Sequence, residues 1–358
     1  MSAPVIETSP APVAPAAAPP SATDRKPLTK KEIAADHPTW CPGCGDFSVL
    51  ALYFKMIEKR KLWQEKFTTI SGIGCSSRFP YYMNTYGIHS IHGRAPALAT
   101  GLAVARPDLH VWVITGDGDA LSIGGNHLLH ALRRNVNFTI ILFNNQIYGL
   151  TKGQYSPTSE SGKVTKSTPF GSLDHPYNPV SLALGAEASF VARTHDMDRK
   201  HMTEIFRRAY AHKGTSFVEV YQNCNVFNDG AFETILAKDN RPTMLVPLEH
   251  GKPVRFGPDG EKGVIIDANG SAVIVEVSEV GEDRLLVHDE SRPDPSLAFA
   301  LSRLANGPYS PTPVGVFRAV ERPDYGSLVQ DQLVAAAARK GPGDLTNLLH
   351  SGTTWTVE

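Results

Sequence analysis

The pattern of apolar residues predicts helices that alternate with strands between residues 28 and 235. Apolar side chains recur at helical spacing in residues 47–61, 95–105, 121–134, 179–184 and 199–212. Continuous apolar runs of strand length occupy residues 109–115, 138–143 and 216–221. Strands that are joined by crossover helices pair in parallel and are covered on both faces. The pattern therefore predicts an α/β fold built on a mostly parallel sheet.

The two ends of the chain differ from this region. Residues 1–27 contain seven Pro and seven Ala, and because so little apolar surface cannot offset the entropy of ordering, we predict a disordered tail. Residues 236–358 carry shorter patterns, and we predict that they form an extension appended to a domain of residues 28–235. The patterns in this extension predict strands at 263–266, 272–277 and 285–287 and helices at 296–304 and 328–339.

Composition excludes several classes of function. The 358 residues include 35 Lys and Arg against 36 Asp and Glu, a formal charge of -1, so the chain lacks the basic excess that nucleic-acid binding needs. No apolar run reaches the roughly 18 residues of a membrane helix. The four cysteines are too few for a disulfide scaffold, and the chain does not open with a secretory signal pattern. We expect a cytoplasmic protein with no nucleic-acid or membrane partner.

The first candidate site follows the strand predicted at residues 109–115. Gly116-Asp117-Gly118 comes directly after this strand, and Asn144-Asn145 follows a spacer of 25 residues, at the end of the next strand. Glycine lets the backbone approach a diphosphate closely, and carboxylate and amide oxygens suit Mg²⁺. Because parallel strands present their carboxyl ends at one edge of the sheet, Asp117 and Asn145 can reach the same ion.

Other interpretations of this motif have to be weighed. Gly-Asp-Gly on its own also suits an ordinary turn. A calcium loop that began at Asp117 would need Glu at its twelfth position, where this chain has Leu128. No P-loop pattern occurs, and Leu121 stands where a dinucleotide-binding fingerprint needs Gly. The tripeptide alone is therefore compatible with a turn or with a magnesium site.

With its spacer and its second half, the motif resembles that of the thiamine diphosphate enzymes. The resemblance implies that Mg²⁺ is bound by the side chains of Asp117 and Asn145 and by the carbonyl oxygen of Ile147. It implies that Asn144 is a structural neighbour of the site. It also implies further cofactor contacts at Gly116, Gly118 and Asp119.

The cysteines form the second candidate site. Cys41 and Cys44 lie just before the helix predicted at 47–61, Cys75 lies in a Gly-flanked turn, and Cys224 follows the strand predicted at 216–221. Four thiolates can bind either Zn²⁺ or a [4Fe-4S] cluster. Zinc sites usually combine two closely spaced pairs, and the single pair here slightly favours a cluster. Buried thiols without a metal are a third alternative that the residues alone leave open.

Four short motifs occur in a fixed order along the chain. They are Cys-Pro-Gly-Cys-Gly from residue 41, Gly-Ile-Gly-Cys-Ser-Ser from residue 72, His-Gly-Arg-Ala from residue 92 and Gly-Asp-Gly-Asp from residue 116. Over residues 37–230 the chain resembles the β subunits of 2-oxoacid:ferredoxin oxidoreductases. The resemblance implies that Cys41, Cys44, Cys75 and Cys224 bind one [4Fe-4S] cluster beside thiamine diphosphate.

The resemblance also implies a reaction and a partner. Members of the family convert a 2-oxo acid and CoA to an acyl-CoA and CO₂ and pass single electrons to ferredoxin, and the reverse carboxylation is possible. Thiamine is the electron sink, and the cluster accepts one electron at a time. The family places the second thiamine-binding domain on an α subunit. We therefore expect an α2β2 heterotetramer in which this chain is inactive without its α subunit.

The choice of 2-oxo acid depends on cations near the site. A dicarboxylate such as 2-oxoglutarate needs a cation for its distal carboxylate, and Arg78 and Lys152 are candidates, although either also suits a solvated surface. The Leu-Thr-Lys-Gly-Gln run from Leu150 resembles family members that act on 2-oxoglutarate, whereas pyruvate enzymes more often have Gly at position 152. The resemblance thus implies 2-oxoglutarate, bound near Arg78, Leu150 and Lys152. His92-Gly93-Arg94 resembles the family's active-site loop, which implies catalytic roles for His92 and Arg94, although His92 also suits a structural histidine.

Two rival functions fit parts of the sequence. A non-oxidative thiamine diphosphate decarboxylase or carboligase would hold structural zinc with the four cysteines. A non-catalytic electron-transfer module would bind the cluster and have only a turn at residues 116–118. Neither rival accounts for the joint order of the motifs.

Overall fold

A computed structural model describes residues 28–61, 63–305, 310–341 and 343–356. The tail that we predicted to be disordered, residues 1–27, lies outside the described residues. The strands are β1 Phe67–Ser71, β2 Tyr86–His89, β3 His110–Gly116, β4 Phe138–Asn144, β5 Phe190–His195, β6 Thr215–Tyr221, β7 Leu245–Leu248, β8 Arg255–Phe256, β9 Lys262–Ile266, β10 Ala272–Glu276 and β11 Thr312–Ala319.

The helices lie between and after these strands. The α-helices are α1 Lys30–Ile33, α2 Asp46–Arg60, α3 Ala95–Ala105, α4 Asp117–Leu121, α5 Gly125–Arg134, α6 Pro179–Gly185, α7 Arg199–Ala211, α8 Glu233–Leu236, α9 Arg241–Met244, α10 Val277–Val280, α11 Ser296–Ser302, α12 Tyr325–Lys340 and α13 Leu345–Leu349. Short 3-10 helices occupy Gln64–Lys66, Ser76–Tyr82 and Glu282–Arg284.

One large sheet forms the centre of the fold. Its strand order is β2-β1-β3-β4-β6-β5-β11-β7. The six strands from β2 to β5 pair in parallel, and β11 runs antiparallel to β5 and parallel to β7. The predicted α/β fold with a mostly parallel sheet is confirmed.

Alternate residues of the central strands enter two separate cores. In β3, Val111 and Val113 pack in the core that contains Leu128 of α5, whereas Trp112 packs in the core that contains Tyr53 of α2. Successive side chains of a strand point to opposite faces of the sheet, so both faces of β3 are covered. A strand buried in this way has no polar face, which explains its continuous apolar sequence.

The C-terminal region is part of the same sheet. β7 and β11 both come from residues 236–358, and together they extend the sheet beyond β5. Strands from both sides of the predicted boundary at residue 235 therefore belong to the central sheet. β8, β9 and β10 form a separate antiparallel sheet of three strands.

Two predicted elements differ in detail. The helix predicted at 121–134 begins four residues later, as α5, because α4 ends at Leu121 and residues 122–124 form a turn. The strand predicted at 285–287 was wrong: the segment makes an isolated bridge between Pro253 and Val287 and backbone hydrogen bonds at Leu286, but it does not form a strand. The 3-10 helix Glu282–Arg284 immediately precedes this segment and limits its extended length.

Candidate functional site

The loops that follow β3 and β4 meet at one cavity. Asp117 follows β3, and Asn145 and Ile147 follow β4, and all three line this cavity. β3 and β4 are neighbouring parallel strands, so their carboxyl ends lie side by side, as at other ligand sites of parallel sheets. We call this space the diphosphate cavity. It contains two carboxylate side chains, Asp117 and Asp119.

The Asp117 carboxylate is buried and is held by two hydroxyl groups. Ser156 Oγ and Thr158 Oγ1 both lie 2.5 Å from Asp117 Oδ2. Burial raises the pKa of Asp117 to about 6, against the lowering effect of these hydroxyl groups. The two hydroxyls contact Oδ2, and a hard cation in the cavity would offset the cost of burying the charge. The site therefore suits a divalent cation such as Mg²⁺.

Asp119 joins the loops around the cavity. Its Oδ1 accepts hydrogen bonds from the backbone nitrogens of Gly93, at 2.7 Å, and Ile73, at 3.0 Å. Its Oδ2 accepts one from Thr115 Oγ1 at 2.7 Å. A Cβ atom on Gly72 would lie 1.9 Å from the same carboxylate. The sequence placed Asp119 at the cofactor, and in the structure both of its oxygens are engaged by protein groups.

The two glycines of the motif differ in what surrounds them. A Cβ atom on Gly118 would lie 2.2 Å from the ring of Tyr148, whose hydroxyl donates to the Gly118 carbonyl oxygen at 3.0 Å. A Cβ atom on Gly116 would meet nothing closer than Ser76 Oγ, at 3.7 Å. Gly118 is thus required by packing, whereas Gly116 leaves space in which a ligand can approach the backbone.

All four cysteines line a second cavity, which we call the cysteine cavity. They are free thiols. Burial, followed by the charge of Asp46, raises the pKa of Cys75 to about 12 and raises that of Cys44 well above its usual range. In the part of the chain that is described, no three His, Cys, Asp or Glu side chains come close enough to share a single metal ion. A four-iron cluster spans a wider space than one ion, and four thiols around one cavity suit its ligand set.

The two cavities share a wall. Cys75, Asn145, Gly149 and Leu150 line both of them. A Cβ atom on Gly149 would lie 3.5 Å from Cys224 Sγ and 3.6 Å from Cys75 Sγ. The loop after β4 therefore faces the diphosphate cavity on one side and the cysteine sulfurs on the other. Two sites that are far apart in sequence are adjacent in space.

The three residues expected at the substrate also line the cysteine cavity. Arg78 Nη2 donates to Thr39 Oγ1 at 2.6 Å, and its guanidinium carbon lies 5.6 Å from the Tyr82 ring centroid. Leu150 is 48% exposed, and Lys152 is exposed with a φ of 74°. A positive φ is uncommon for a residue with a side chain. Arg78 and Lys152 line the cysteine cavity and are not among the residues that line the diphosphate cavity.

His92 and Arg94 lie in different surroundings. His92 lines the diphosphate cavity, and its Nδ1 is 2.7 Å from Asp119 Oδ1, although the angles do not satisfy a hydrogen bond. Arg94 is not among the residues that line either cavity. Its guanidinium donates to the carbonyl oxygens of Ile123, at 3.1 Å, and His92, at 3.4 Å. Arg94 thus binds the backbone of the His92 loop and does not face either cavity.

Sequence reasoning missed several residues of this site. Ser156 and Thr158 hold Asp117, but they lie in a long irregular loop, and a hydroxyl-rich stretch was their only signal. Asp46 is 1% exposed, and neither carboxylate oxygen has a hydrogen-bond partner among the described residues. It follows Cys44 by two positions, and burial raises its pKa to about 7. No sequence pattern separates such an Asp from an ordinary first-turn residue of α2.

None of the described helices has the length and apolar content to cross a membrane. A family model described as "Thiamine pyrophosphate enzyme, C-terminal TPP binding domain" matches residues 72–220. This segment contains β3, β4 and both glycines of the motif. The chain therefore contains a thiamine diphosphate-binding domain.

Similar proteins cover most of the chain. A "2-oxoglutarate oxidoreductase subunit KorB" of Mycobacterium tuberculosis is 55% identical over 339 residues, which are 94% of this chain and 90% of that protein. A "2-oxoacid:ferredoxin oxidoreductase 1, subunit beta" of Aeropyrum pernix is 45% identical over 190 residues, 53% of this chain and 60% of that protein.

A solved structure agrees with these relatives. It is the "2-oxoglutarate:ferredoxin oxidoreductase from Magnetococcus marinus with 2-oxoglutarate, coenzyme A and succinyl-CoA bound". The match has a TM-score of 0.70 and 33% sequence identity, and it covers 91% of this chain and 97% of that chain. The chain belongs to the family of 2-oxoacid:ferredoxin oxidoreductase β subunits.

Proposed function

We propose that this chain is the β subunit of a 2-oxoglutarate:ferredoxin oxidoreductase, which converts 2-oxoglutarate and CoA to succinyl-CoA and CO₂ and reduces ferredoxin. The single observation that carries the proposal is the shared wall between the diphosphate cavity and the cysteine cavity. A two-electron oxidation that ends in one-electron carriers needs its electron sink close to a redox centre. The reverse carboxylation would use the same arrangement.

The diphosphate cavity would hold Mg²⁺ and thiamine diphosphate. Asp117, Asn145 and the carbonyl oxygen of Ile147 are the proposed ligands of Mg²⁺, and all three line the cavity. The backbone at Gly116 leaves room for the diphosphate. Bound here, thiamine diphosphate would supply the electron sink for decarboxylation. The chain would fix the ion and orient the cofactor against the turn between β3 and α4. The Tyr148 ring, which lines the cavity, would limit the access of water.

The cysteine cavity would hold one [4Fe-4S] cluster. Cys41, Cys44, Cys75 and Cys224 are the proposed ligands, because they line one cavity and none is in a disulfide. Metal binding would remove the protons from buried thiols such as Cys75, whose pKa is raised to about 12 in the free protein. The free thiols fit the reducing cytoplasm expected from the sequence.

Arg78, Leu150 and Lys152 are proposed to select 2-oxoglutarate. All three line the cysteine cavity, and Leu150 also lines the diphosphate cavity. A cation there would pair with the distal carboxylate of a dicarboxylate substrate. His92 is proposed to contact the cofactor or substrate from the wall of the diphosphate cavity. Arg94, which binds two backbone carbonyls, would act by holding the His92 loop in place.

The chain would act with an α subunit, in an α2β2 assembly, and with ferredoxin as the electron acceptor. The test is anaerobic co-expression with the α subunit, followed by assays with 2-oxoglutarate, pyruvate and a branched 2-oxo acid, CoA and a viologen acceptor. We expect acceptor reduction that is fastest with 2-oxoglutarate, and no turnover by the β chain alone. Full turnover by the isolated chain would contradict the proposed assembly.

Metal analysis separates this proposal from a non-oxidative enzyme with structural zinc. We expect about four iron atoms per chain, and an EPR signal after reduction with dithionite. Cys224→Ser should lower the iron content and acceptor reduction together, while thiamine diphosphate binding is retained. A preparation with zinc and without iron would overturn the redox function but not the thiamine-binding fold.

A further inference from the structure

A fully buried ion pair joins two neighbouring strands of the central sheet, outside the residues that line the diphosphate cavity, and none of the sequence motifs includes it. Arg193 of β5 and Glu219 of β6 are 1% and 0% exposed, and Arg193 Nε donates to Glu219 Oε2 at 2.6 Å. The guanidinium also donates to the carbonyl oxygen of Pro313, at 3.2 Å, and to Asn178 Oδ1, at 3.3 Å. Every one of these contacts fixes the orientation of the Glu219 carboxylate or of its partner.

Stability alone explains such a pair poorly. Removing two charges from water costs several kcal/mol per ion, and apolar replacements of buried pairs are often neutral or stabilising. Buried polar groups are better attested as devices that select one arrangement of their neighbours. The second oxygen of Glu219 therefore indicates which neighbour the pair holds in place.

That oxygen holds Asn144, the last residue of β4. Asn144 Nδ2 donates to Glu219 Oε1 at 2.8 Å. An ionised carboxylate can only accept hydrogen bonds, so Glu219 fixes the Asn144 amide with its nitrogen towards β6. The amide oxygen, Oδ1, must then point away from Glu219, towards the loops of the diphosphate cavity.

The oxygen of the Asn144 amide contacts two groups there. Gln146 N donates to Asn144 Oδ1 at 3.2 Å, which closes the turn that carries Asn145 and Ile147. Gln146 has a φ of 56°, a conformation that costs a side-chain-bearing residue energy unless its surroundings stabilise it. The Asn144 hydrogen bond supplies such support, so this contact shapes the turn with two of the proposed Mg²⁺ ligands.

The second group is the Thr158 hydroxyl, which leads to the third proposed ligand. Thr158 Oγ1 lies 2.9 Å from Asn144 Oδ1 and 2.5 Å from Asp117 Oδ2. A hydroxyl has one proton, and the three atoms form a three-centre hydrogen bond of a known type. Asn144 therefore sets the position of the hydroxyl that holds the Asp117 carboxylate.

We propose that Asn144, oriented by the Glu219–Arg193 pair, is the positioning residue that sets all three proposed magnesium ligands, Asp117, Asn145 and Ile147. The inference rests on the proposed function. It adds Arg193 and Glu219, which no motif contains, and it gives Asn144, a structural neighbour in the motif, a specific role. Residues behind the direct ligands of a metal commonly change its affinity 10- to 100-fold when they are substituted. The pair thus acts on Mg²⁺ affinity without touching the ion.

The test measures the Mg²⁺ concentration at half-maximal binding of thiamine diphosphate, in the α–β complex, together with the midpoint of thermal unfolding. Asn144→Ala and Glu219→Gln should each raise this concentration about 10- to 100-fold. The double variant should be no worse than Asn144→Ala alone, because Glu219 would act only through Asn144. Additive effects of the two substitutions would overturn the proposed chain of contacts.

A matched control separates positioning from stability. Arg208 and Glu290 form a second ion pair, which is partly buried, with Arg208 Nη2 2.5 Å from Glu290 Oε1, and neither residue lines the diphosphate cavity. Glu290→Gln should lower the unfolding temperature and leave the Mg²⁺ requirement unchanged. If Glu219→Gln behaved in the same way, the pair would be only structural and the proposal would fail.

Thr158 provides a second test that keeps the buried pair intact in case Glu219→Gln does not fold. Thr158→Val preserves shape and removes the hydroxyl, and it should raise the Mg²⁺ requirement, whereas Thr158→Ser should restore it. An unchanged requirement in Thr158→Val would refute the link to Asp117. If the unsubstituted complex bound thiamine diphosphate without any dependence on Mg²⁺, the proposed magnesium site itself would be wrong.

Discussion

Lys152 combines a charge that suits a dicarboxylate with a backbone conformation that suits glycine. Its φ is 74°, and glycine adopts such values without the steric cost that a Cβ atom brings. Keeping a lysine here costs energy in the free protein, which is typical of residues retained for function. The exposed side chain lies at the cysteine cavity beside Leu150.

We predict that Lys152→Ala lowers kcat/KM for 2-oxoglutarate about 10- to 100-fold, because a charge-assisted hydrogen bond contributes roughly 1.5 to 3 kcal/mol. The value for pyruvate should change little. Lys152→Gly should lower kcat/KM for 2-oxoglutarate as much as Lys152→Ala does. It should unfold at a higher temperature than the alanine variant, since glycine adopts a positive φ without steric cost. Lys152→Arg is the control that keeps the charge. Equal losses with both substrates would remove Lys152 from substrate selection.

The glycines of the motif give a second prediction for single residues. Gly118→Ala should lower the unfolding temperature and weaken thiamine diphosphate binding, because the new Cβ atom would lie 2.2 Å from the Tyr148 ring. Gly116→Ala should leave the unfolding temperature unchanged, since its nearest neighbour would be 3.7 Å away, but it should weaken binding by filling ligand space. Thermal unfolding and cofactor titration of both variants check this. The same response from both variants would contradict the distinction.

At the scale of elements, Asn135 joins the end of α5 to two strands. It is fully buried with a φ of 56°. Its Oδ1 accepts hydrogen bonds from Thr215 N, at 3.0 Å, and Ser189 Oγ, at 2.5 Å, and its Nδ2 donates to the carbonyl oxygen of Arg322 at 3.0 Å. One side chain thus fixes the helix end, β6, the start of β5 and the C-terminal region.

We predict that Asn135→Gly destabilises the fold by about 2 to 3 kcal/mol, because buried partners lose their hydrogen bonds. Asn135→Ala should cost about 1 kcal/mol more, since alanine also resists the left-handed conformation. Chemical denaturation of both variants measures the two free energies of unfolding. An alanine variant at least as stable as the glycine variant would show that the backbone conformation at this position is not strained.

Which elements the sequence could predict follows from their burial. β4 is buried along its whole length because both of its faces are covered, and its mostly apolar sequence predicted the strand. β5 was missed because Arg193 interrupts its apolar run, and the partners that offset the burial of this charge, mainly the Glu219 carboxylate, lie far away in sequence. β11 was missed for a similar reason, since Pro313 and Arg318 break its pattern. A local sequence pattern cannot predict a strand whose buried polar residues depend on partners far away in the sequence.

The candidate site shows the same division. Its motifs are contiguous in sequence, so the residues after β3 and β4 could be predicted. The hydroxyl groups that hold Asp117 could not be predicted. Ser156 and Thr158 reach Asp117 from residues 145–178, which contain neither helix nor strand. A loop of this length in a compact domain is usually functional. No periodicity constrains its path, so its contacts follow only from the folded structure.

At the scale of the whole molecule, the C-terminal region completes the sheet and buries histidines. His288 of this region is 3% exposed, and its Nε2 lies 2.7 Å from the carbonyl oxygen of Val316 in β11. Burial is the main cause that lowers the pKa of His288. Burial also lowers the pKa of His195 and that of His212, each to about 4. Charging any of these side chains disfavours the folded state.

The pH dependence of stability follows from these histidines. An unfolded histidine titrates near pH 6.5, so above that pH folded and unfolded chains are both neutral at these positions. Between about pH 6.5 and the folded pKa of about 4, only the unfolded chain takes up the protons, and stability is lost as the pH falls. At about 1.4 kcal/mol per pKa unit, each of His195 and His212 contributes less than about 3 kcal/mol, because partial solvent access weakens the effect.

His212→Gln tests this dependence at a position away from both cavities. His212 Nε2 lies 2.7 Å from Ser189 Oγ, a contact that the amide of glutamine can replace without titrating. Carboxylates also contribute to acid unfolding, so the informative quantity is the difference between the variant and the unsubstituted protein. We expect the variant to lose less stability than the unsubstituted protein between pH 7 and pH 5, measured by denaturant unfolding. Parallel pH profiles would show that His212 is charged as readily in the folded state as in the unfolded chain.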